Sequence, residues 1–285
     1  MSEPAPLVPR DAATVMLVRD GATGLEVCML RRNLNSDFVG GAYVFPGGAV
    51  DPADSAPAVE AICAARTEPD ASKQLGIESG GLAFWVAAVR ECFEEAGVLL
   101  AIDANDQVVS LADADTATRF AQWRRQVDHG ETSLVEVCAA EQLRIMAGDI
   151  YYFAHWITPV GPSRRYDTRF FVAAAPPEQR PVHDDRETIA TIWINPAEAL
   201  RRQKAHELEL IFPTIRNLEA ISRFETAGEL LAAAAAIDEV VTILPRVVSD
   251  ADGMRILLPG DPGYDEVIDG KGEGGTRVEG REIAR

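Results

Sequence analysis

The chain is poor in positive charge. Twenty-seven Lys and Arg stand against 45 Asp and Glu, a formal net charge of -18. A field of that sign repels phosphate backbones and anionic lipid, so neither nucleic acid nor a membrane surface is expected as a partner. Cysteine is scarce too. Cys28, Cys63, Cys92 and Cys138 contain no CxxC pair and sit among apolar neighbours. Free buried thiols in a reducing compartment are the expectation. Long apolar runs are also missing. The longest uncharged stretch, residues 150–163, holds His155 and two prolines and is too short to span a bilayer. The opening MSEPAPLVPRDAATV has no basic stretch followed by an apolar one, so no secretory leader is expected. A soluble cytoplasmic protein follows as the expectation. One exception qualifies the charge argument: a divalent cation held by clustered carboxylates inverts the local field and admits a small anionic substrate.

What is present is enough for a core. The 285 residues are 47% hydrophobic, which suits one large domain or a core with extensions. Residues 1–10 are Pro-rich and read as an arm. Apolar β-rich runs at 12–19 and 25–31, split by Asp20-Gly21, predict a hairpin. GGAYVFPGG at 40–48 predicts a short strand, and 55–80 a short helical patch near 59–65 followed by a polar, Gly-rich linker. LAFWVAAVRECFEEA at 82–96 is the clearest helix, started by Ser79 or Gly81 and closed by Gly97. A strand is expected at 98–102, a helical segment over 103–146, and strands at 150–158, 168–174 and 188–194. Pro196 opens another helix. The expected class is α/β, a mixed sheet between helices, with a core domain over 11–204. A helical C-terminal extension at 205–265 and a disordered, Gly-rich tail at 266–285 complete it.

The informative segment runs from Arg90 to Val98. Glu91, Glu94 and Glu95 are spaced i, i+3 and i+4, which puts three carboxylates on one helix face. They gather at the negative end of the helix dipole, so they repel unless something positive sits among them. A hard divalent cation bound through oxygen would resolve the conflict. Arg90, one turn before Glu94, can orient it with a charge-assisted hydrogen bond. The alternative is a solvated acidic helix face in an acidic chain.

Arg90-Glu91-Cys92-Phe93-Glu94-Glu95-Ala96-Gly97-Val98, with Gly48 upstream, resembles the box G-x5-E-x7-R-E-U-x-E-E-x-G-U of the Nudix hydrolases, U being aliphatic. Asp54 stands where the first Glu is expected, and residues 55–89 fill a gap that the box usually spans in seven. The segments FVGGAYVFPGGAVDPADS, RRYDTRFF and LLPGDPGY are similar to the acyl-coenzyme A diphosphatase subgroup, whose box carries a long insertion. In the coenzyme A signature Arg32, Gly41 and Phe45 to Gly48 match, while Asp37 stands where a second Arg is expected.

The resemblance implies a Nudix α/β/α sandwich and an enzyme. It implies Mg²⁺ or Mn²⁺ held by Glu91, Glu94, Glu95 and the Gly47 carbonyl. It also implies hydrolysis of the pyrophosphate of coenzyme A or acyl-CoA, with ADP-ribose, NADH or dinucleoside polyphosphates as alternative substrates. A non-catalytic nucleotide-sensing module is the rival from another class. Glu94 could be the general base. Relatives also use an acid on a loop after a later strand, here Glu178, Asp184, Asp185 or Glu187, of which Glu187 is favoured. Arg31, Arg32, Arg164, Arg165 and Arg169 lie beside the matching strands and offer phosphate forks, or else pair with surface acids. Phe45 joins Arg32 in the matching substrate signature. Tyr166 and Phe38 are candidate adenine platforms. His155 and His183 read as packing or surface residues, and Trp123, Trp156 and Trp193 as core. The helical additions could wall a cleft or form a homodimer interface.

Overall fold

The computed structural model describes residues 7–35, 39–250, 253–267, 276–279 and 282–284. They fall into two compact units. The larger takes residues 12–153 and 169–240, and the smaller takes the rest.

The larger unit is built on a mixed sheet. Strands β1 (Arg10–Gly21) and β2 (Gly24–Arg32) pair antiparallel, with Gly21 opposite Gly24. The expected hairpin therefore closes through two residues, and Gly24 supplies a positive φ of 109°. Val15 to Val18 are all buried, so β1 is covered on both faces. The strand expected over 40–48 is divided. β3 (Tyr43–Val44) pairs with β2, and β4 (Gly47–Ala49) pairs with β1. Between them Pro46 has no N–H to give, and its carbonyl accepts from Val15 N.

The inserted segment is more ordered than its composition suggests. After a 3-10 turn at Pro52–Ser55 come α1 (Val59–Ile62) and α2 (Glu68–Leu75). The polar linker expected here is thus a helix. Thr67 accepts the amide of Asp70 at its start, Gly76 closes it at φ 67°, and Ala71, Ser72 and Leu75 are buried. α3 (Leu82–Ala96) crosses the core with nearly every residue buried. Its Trp85 lies 4.7 Å from the Phe171 ring and donates to the Ile150 carbonyl. Neither Ser79 nor Gly81 provides a side-chain cap for α3; the Glu68 carboxylate does, accepting from the amides of Gly80, Gly81 and Leu82.

Next come β5 (Ala101–Ile102), α4 (Ala114–Asp128), α5 (Leu134–Glu141) and β6 (Arg144–Ile145). The segment expected to be helical to 146 ends instead on a strand. Ile145 pairs with Ala101, and both are buried. β7 (Ile150–Ile157), β8 (Tyr166–Ala174) and β9 (Thr188–Ile194) follow, with the larger unit's sheet ordered β7-β8-β1-β2-β3 and β9 antiparallel on β2. α6 (Pro196–Lys204), capped by Asn195, leads to α7 (Phe212–Ile221) and α8 (Ala227–Ala235).

In the smaller unit β10 (Thr242–Ile243) pairs parallel with the end of β7. There Thr242 Oγ1, His155 and Asp167 form a hydrogen-bonded chain. β11 (Arg246–Asp250), β12 (Gly253–Leu257), β13 (Thr276–Glu279) and β14 (Glu282–Ala284) make an antiparallel sheet. The C-terminal extension is therefore helical only as far as α8. Beyond it β-branched residues such as Val247 and Val248 go into strands, and Val248, Leu257 and Val267 bury one another. Most of the expected disordered tail, residues 268–275, 280–281 and 285, lies outside the described residues, but 276–279 and 282–284 are β-strand. Residues 1–6 of the arm also lie outside them.

Candidate active site

At the last turn of α3 three carboxylates surround one guanidinium. Arg90 is 6% exposed. Its Nε and Nη2 each donate to Asp54 at 3.0 Å, and its Nη1 donates to Glu91 at 2.8 Å and Glu94 at 3.2 Å. Nη2 also donates to the Ala49 carbonyl. Asp54, 2% exposed, takes the Asp51 amide as well. The chain thus returns through the insertion to place Asp54 and Arg90 side by side. A buried charge needs such pairing, because removing either partner would leave the other desolvated and alone.

One cation is not enough for this many acids. Burial raises the carboxyls of Asp54 and Glu94 above their usual range, against the pull of Arg90. Burial pushes Glu91 up to about 7, with Glu94 adding repulsion. Glu95 is raised by burial and by Glu91. Arg90 is affected the other way. Burial opposes its charge, but Asp54, Glu91 and Glu94 hold it protonated.

Glu95 points toward β4, where Gly47 N donates to its Oε2 at 3.0 Å. Gly47 thus offers this carboxylate its amide. The two glycines are needed for close approach. A side chain at Gly48 would run into the Glu91 carboxylate, and one at Gly47 into β1 at Ala13 and Thr14.

Arg32 and Glu187 are brought to the same place. Arg32 favours the charged form of Glu95 and Glu187 disfavours it. Asn33 N donates to the Glu187 carbonyl, which fastens the loop before β9 to the end of β2. Asp184 shapes that loop. It accepts from the amides of Glu187 and Thr188, which outweigh its partial burial and hold its carboxyl below the usual range. Glu178 and Asp185 are exposed, and Asp185 pairs with His183.

The other expected contact residues have surroundings of their own. Arg169 stacks 4.5 Å from the Phe84 ring, near the opposite end of α3. Phe45, of the matching substrate signature, is 3% exposed and packs in the interior. Arg165, in the smaller unit, is 9% exposed and donates to the carbonyls of Leu7, Thr158 and Pro159. It fastens the N-terminal arm, where a phosphate contact was expected. Arg164 is exposed in the same unit. Arg31 donates to the Gly41 carbonyl. Phe38 and Asp37 lie outside the described residues.

A residue that the sequence reading missed is Arg124 on α4. Its Nε and Nη2 donate to the carbonyls of Glu94 and Glu95 at 2.9 and 3.0 Å. The only sequence signal was the demand itself, a helix end with three acids and open carbonyls, and it named no partner.

Among the described residues, no three acidic, His or Cys side chains converge as a ready metal site. Glu91 and Glu94 are turned to Arg90, and Glu95 to the Gly47 amide. The donor chemistry nonetheless fits a hard divalent cation. It is all oxygen, acidic beyond what Arg90 neutralises, and gathered on one helical turn. Released from Arg90 and Gly47, these carboxylates could serve as its ligands.

The model of the NUDT19 Nudix domain matches residues 68–221, more than half of the chain. The chain belongs to the Nudix hydrolases. Similar proteins include the acyl-coenzyme A diphosphatase NUDT19 of Gallus gallus, 30% identical over 93% of this chain and 82% of that protein. The Homo sapiens protein of the same name is 29% identical over 87% and 74%. The crystal structure of a Nudix hydrolase from Alicyclobacillus acidocaldarius shares 27% identity at a TM-score of 0.66, covering 79% of this chain and 96% of that one. The chain is thus a hydrolase of the Nudix α/β fold, in a family that generally uses divalent metal ions. In this Nudix hydrolase α3 is the box helix. No helix among the described residues is long and apolar enough to cross a membrane.

Proposed function

We propose that this Nudix hydrolase cleaves the pyrophosphate of coenzyme A or an acyl-CoA. Water adds to one phosphorus, the bridging P–O bond breaks, and (acyl-)phosphopantetheine and adenosine 3′,5′-bisphosphate are released. The observation that carries this reading is the Arg90-centred carboxylate turn in a chain resembling proteins named acyl-coenzyme A diphosphatase.

Glu91, Glu94, Glu95 and the Gly47 carbonyl are the residues we assign to Mg²⁺ or Mn²⁺. When bound, such an ion supplies the charge neutralisation that a pyrophosphate needs as its bridge breaks. Arg90 holds Glu91 and Glu94 on one side of the helix. Arg32, at the end of β2 beside Glu95, is assigned to a substrate phosphate. Glu94 or Glu187 takes the proton from the attacking water. Glu187 is exposed and lies at the rim of the cluster, which suits that exchange with solvent. Burial pushes the Cys28, Cys63 and Cys138 thiols up to about 12, which keeps them protonated and unreactive and suits a reducing cytoplasm.

The test is a substrate panel with Mg²⁺ or Mn²⁺: coenzyme A, short and long acyl-CoAs, ADP-ribose, NADH and a dinucleoside polyphosphate. Products are identified by mass, with ¹⁸O-water marking the attacked phosphorus. Turnover of ADP-ribose or NADH without any of coenzyme A would remove the substrate assignment and leave the hydrolytic chemistry.

A further inference from the structure

We infer that Arg124 is a positioning residue for the hydrolytic reaction, fixing the last turn of α3 to α4 and to the loop that carries Glu187. The inference rests on assigning Glu94, Glu95 and Glu187 to the hydrolytic site.

The last four carbonyls of a helix have no partner within it. At the end of α3 the carbonyls of residues 93–96 are all met. Gly97 N closes on Phe93 O, and Val182 N donates to Ala96 O at 2.8 Å. The two between belong to Glu94 and Glu95, and Arg124 takes both with the two arms of its fork. Those peptide groups carry the very side chains assigned to the metal. A guanidinium held at two points fixes the rotation of the helix end as well as its position, which a single ammonium cannot do. Gly97 leaves room for it, since a side chain there would strike Arg124 Nη1.

The other half of the bracket lies one turn along α4. Asp128 is paired with Arg186, the neighbour of Glu187. Burial lowers Arg124 from its ordinary value, while Asp184 of the same loop and Asp128 oppose that and favour its charge. Thr188 Oγ1 reaches the Glu95 carbonyl at 3.5 Å. One face of α4 thus ties the helix with Glu94 and Glu95 to the loop with Glu187. Catalytic geometry is sensitive to such fastening, because a shift of about 1 Å can cost on the order of 10²-fold in rate.

The experiment compares the unmodified protein with Arg124→Gln, Arg124→Lys and Arg119→Gln. Arg119 lies on the same helix but pairs with Glu141, so its loss weakens α4 without touching the two carbonyls. Three readouts are taken: kcat and KM on the best substrate of the panel, Mn²⁺ affinity without substrate by electron paramagnetic resonance, and melting temperature. Arg124→Gln is expected to lower kcat about 10–100-fold, with a smaller change in KM and weaker Mn²⁺ binding. Arg124→Lys should recover part of both, and Arg119→Gln should lower only the melting temperature. Unchanged kcat and Mn²⁺ affinity in Arg124→Gln would overturn the inference. So would equal losses in Arg119→Gln, which would make the effect mere destabilisation. If Arg124→Gln does not fold, Arg124→Lys is judged by the same measurements. An unmodified protein that binds no Mn²⁺ and turns over nothing in the panel would fell the site assignment and this inference together. An active one matched by Arg124→Gln would fell only this inference.

Discussion

The two ends of α3 treat carboxylates in opposite ways. At the N-terminal end Glu68 accepts the amides of Gly80, Gly81 and Leu82 and the Ser72 hydroxyl. Burial works against its charge, but those donors prevail and hold the carboxyl below its usual range. At the C-terminal end Glu91, Glu94 and Glu95 crowd one another, Arg90 pairs with only the first two, and all three are raised. The helix dipole favours the first arrangement and opposes the second. One end is therefore a lock, complete in itself, while the other is left short of positive charge. That shortage is what makes the second end fit for a cation and the first unfit.

The comparison can be broken most sharply at Arg90. Arg90→Ala leaves Asp54 buried without its partner, and unfolding by urea should show a loss of about 3–5 kcal/mol. A loss below about 1 kcal/mol would mean that the pair is not buried as described. Glu94→Gln should leave the fold intact and lower kcat by on the order of 10²-fold or more. Unchanged turnover would sink both roles given to Glu94.

The pH dependence sharpens the contrast in charge. Glu91 binds its proton more tightly folded than unfolded. Without a divalent cation, stability should therefore fall as pH rises from the ordinary carboxylate range through about 7, by about 1–3 kcal/mol. Mn²⁺ should flatten that slope and a chelator should restore it; a flat profile in the chelated protein would deny the shortage of charge. The smallest effect belongs to the lock. Glu68→Gln, which keeps an acceptor and loses the charge, should cost about 0.3–1 kcal/mol and leave Mn²⁺ affinity unchanged. A drop in that affinity would mean that the two ends are coupled.

Much of this was legible from the chain, for reasons that differ by residue. The helix at 82–96, its Gly97 end and the shared face of Glu91, Glu94 and Glu95 follow from spacing along a single helix. So does the 12–31 hairpin, whose β-rich runs and glycine lie close in sequence. The division of 40–48 into β3 and β4 was not legible, because it depends on two different partner strands. Nor was the order in α2, which rests on Leu75 and Ala71 finding the core. The arginines show the limit most plainly. Arg90 and Arg165 are both buried, yet carboxylates surround one and backbone carbonyls the other. Neither sequence neighbourhood says which surroundings the fold will supply.

Where the acids cluster is written in the chain, since helical periodicity is a local property that a few consecutive residues impose. What faces them comes from the packing of distant segments. Asp54 arrives across the insertion, Arg124 from α4, and Glu187 from a loop that Asn33 fastens to β2. Those meetings depend on how separate elements pack to bury apolar surface. A charge then keeps whatever partner that packing places within reach, because in a desolvated interior it has no water to turn to instead.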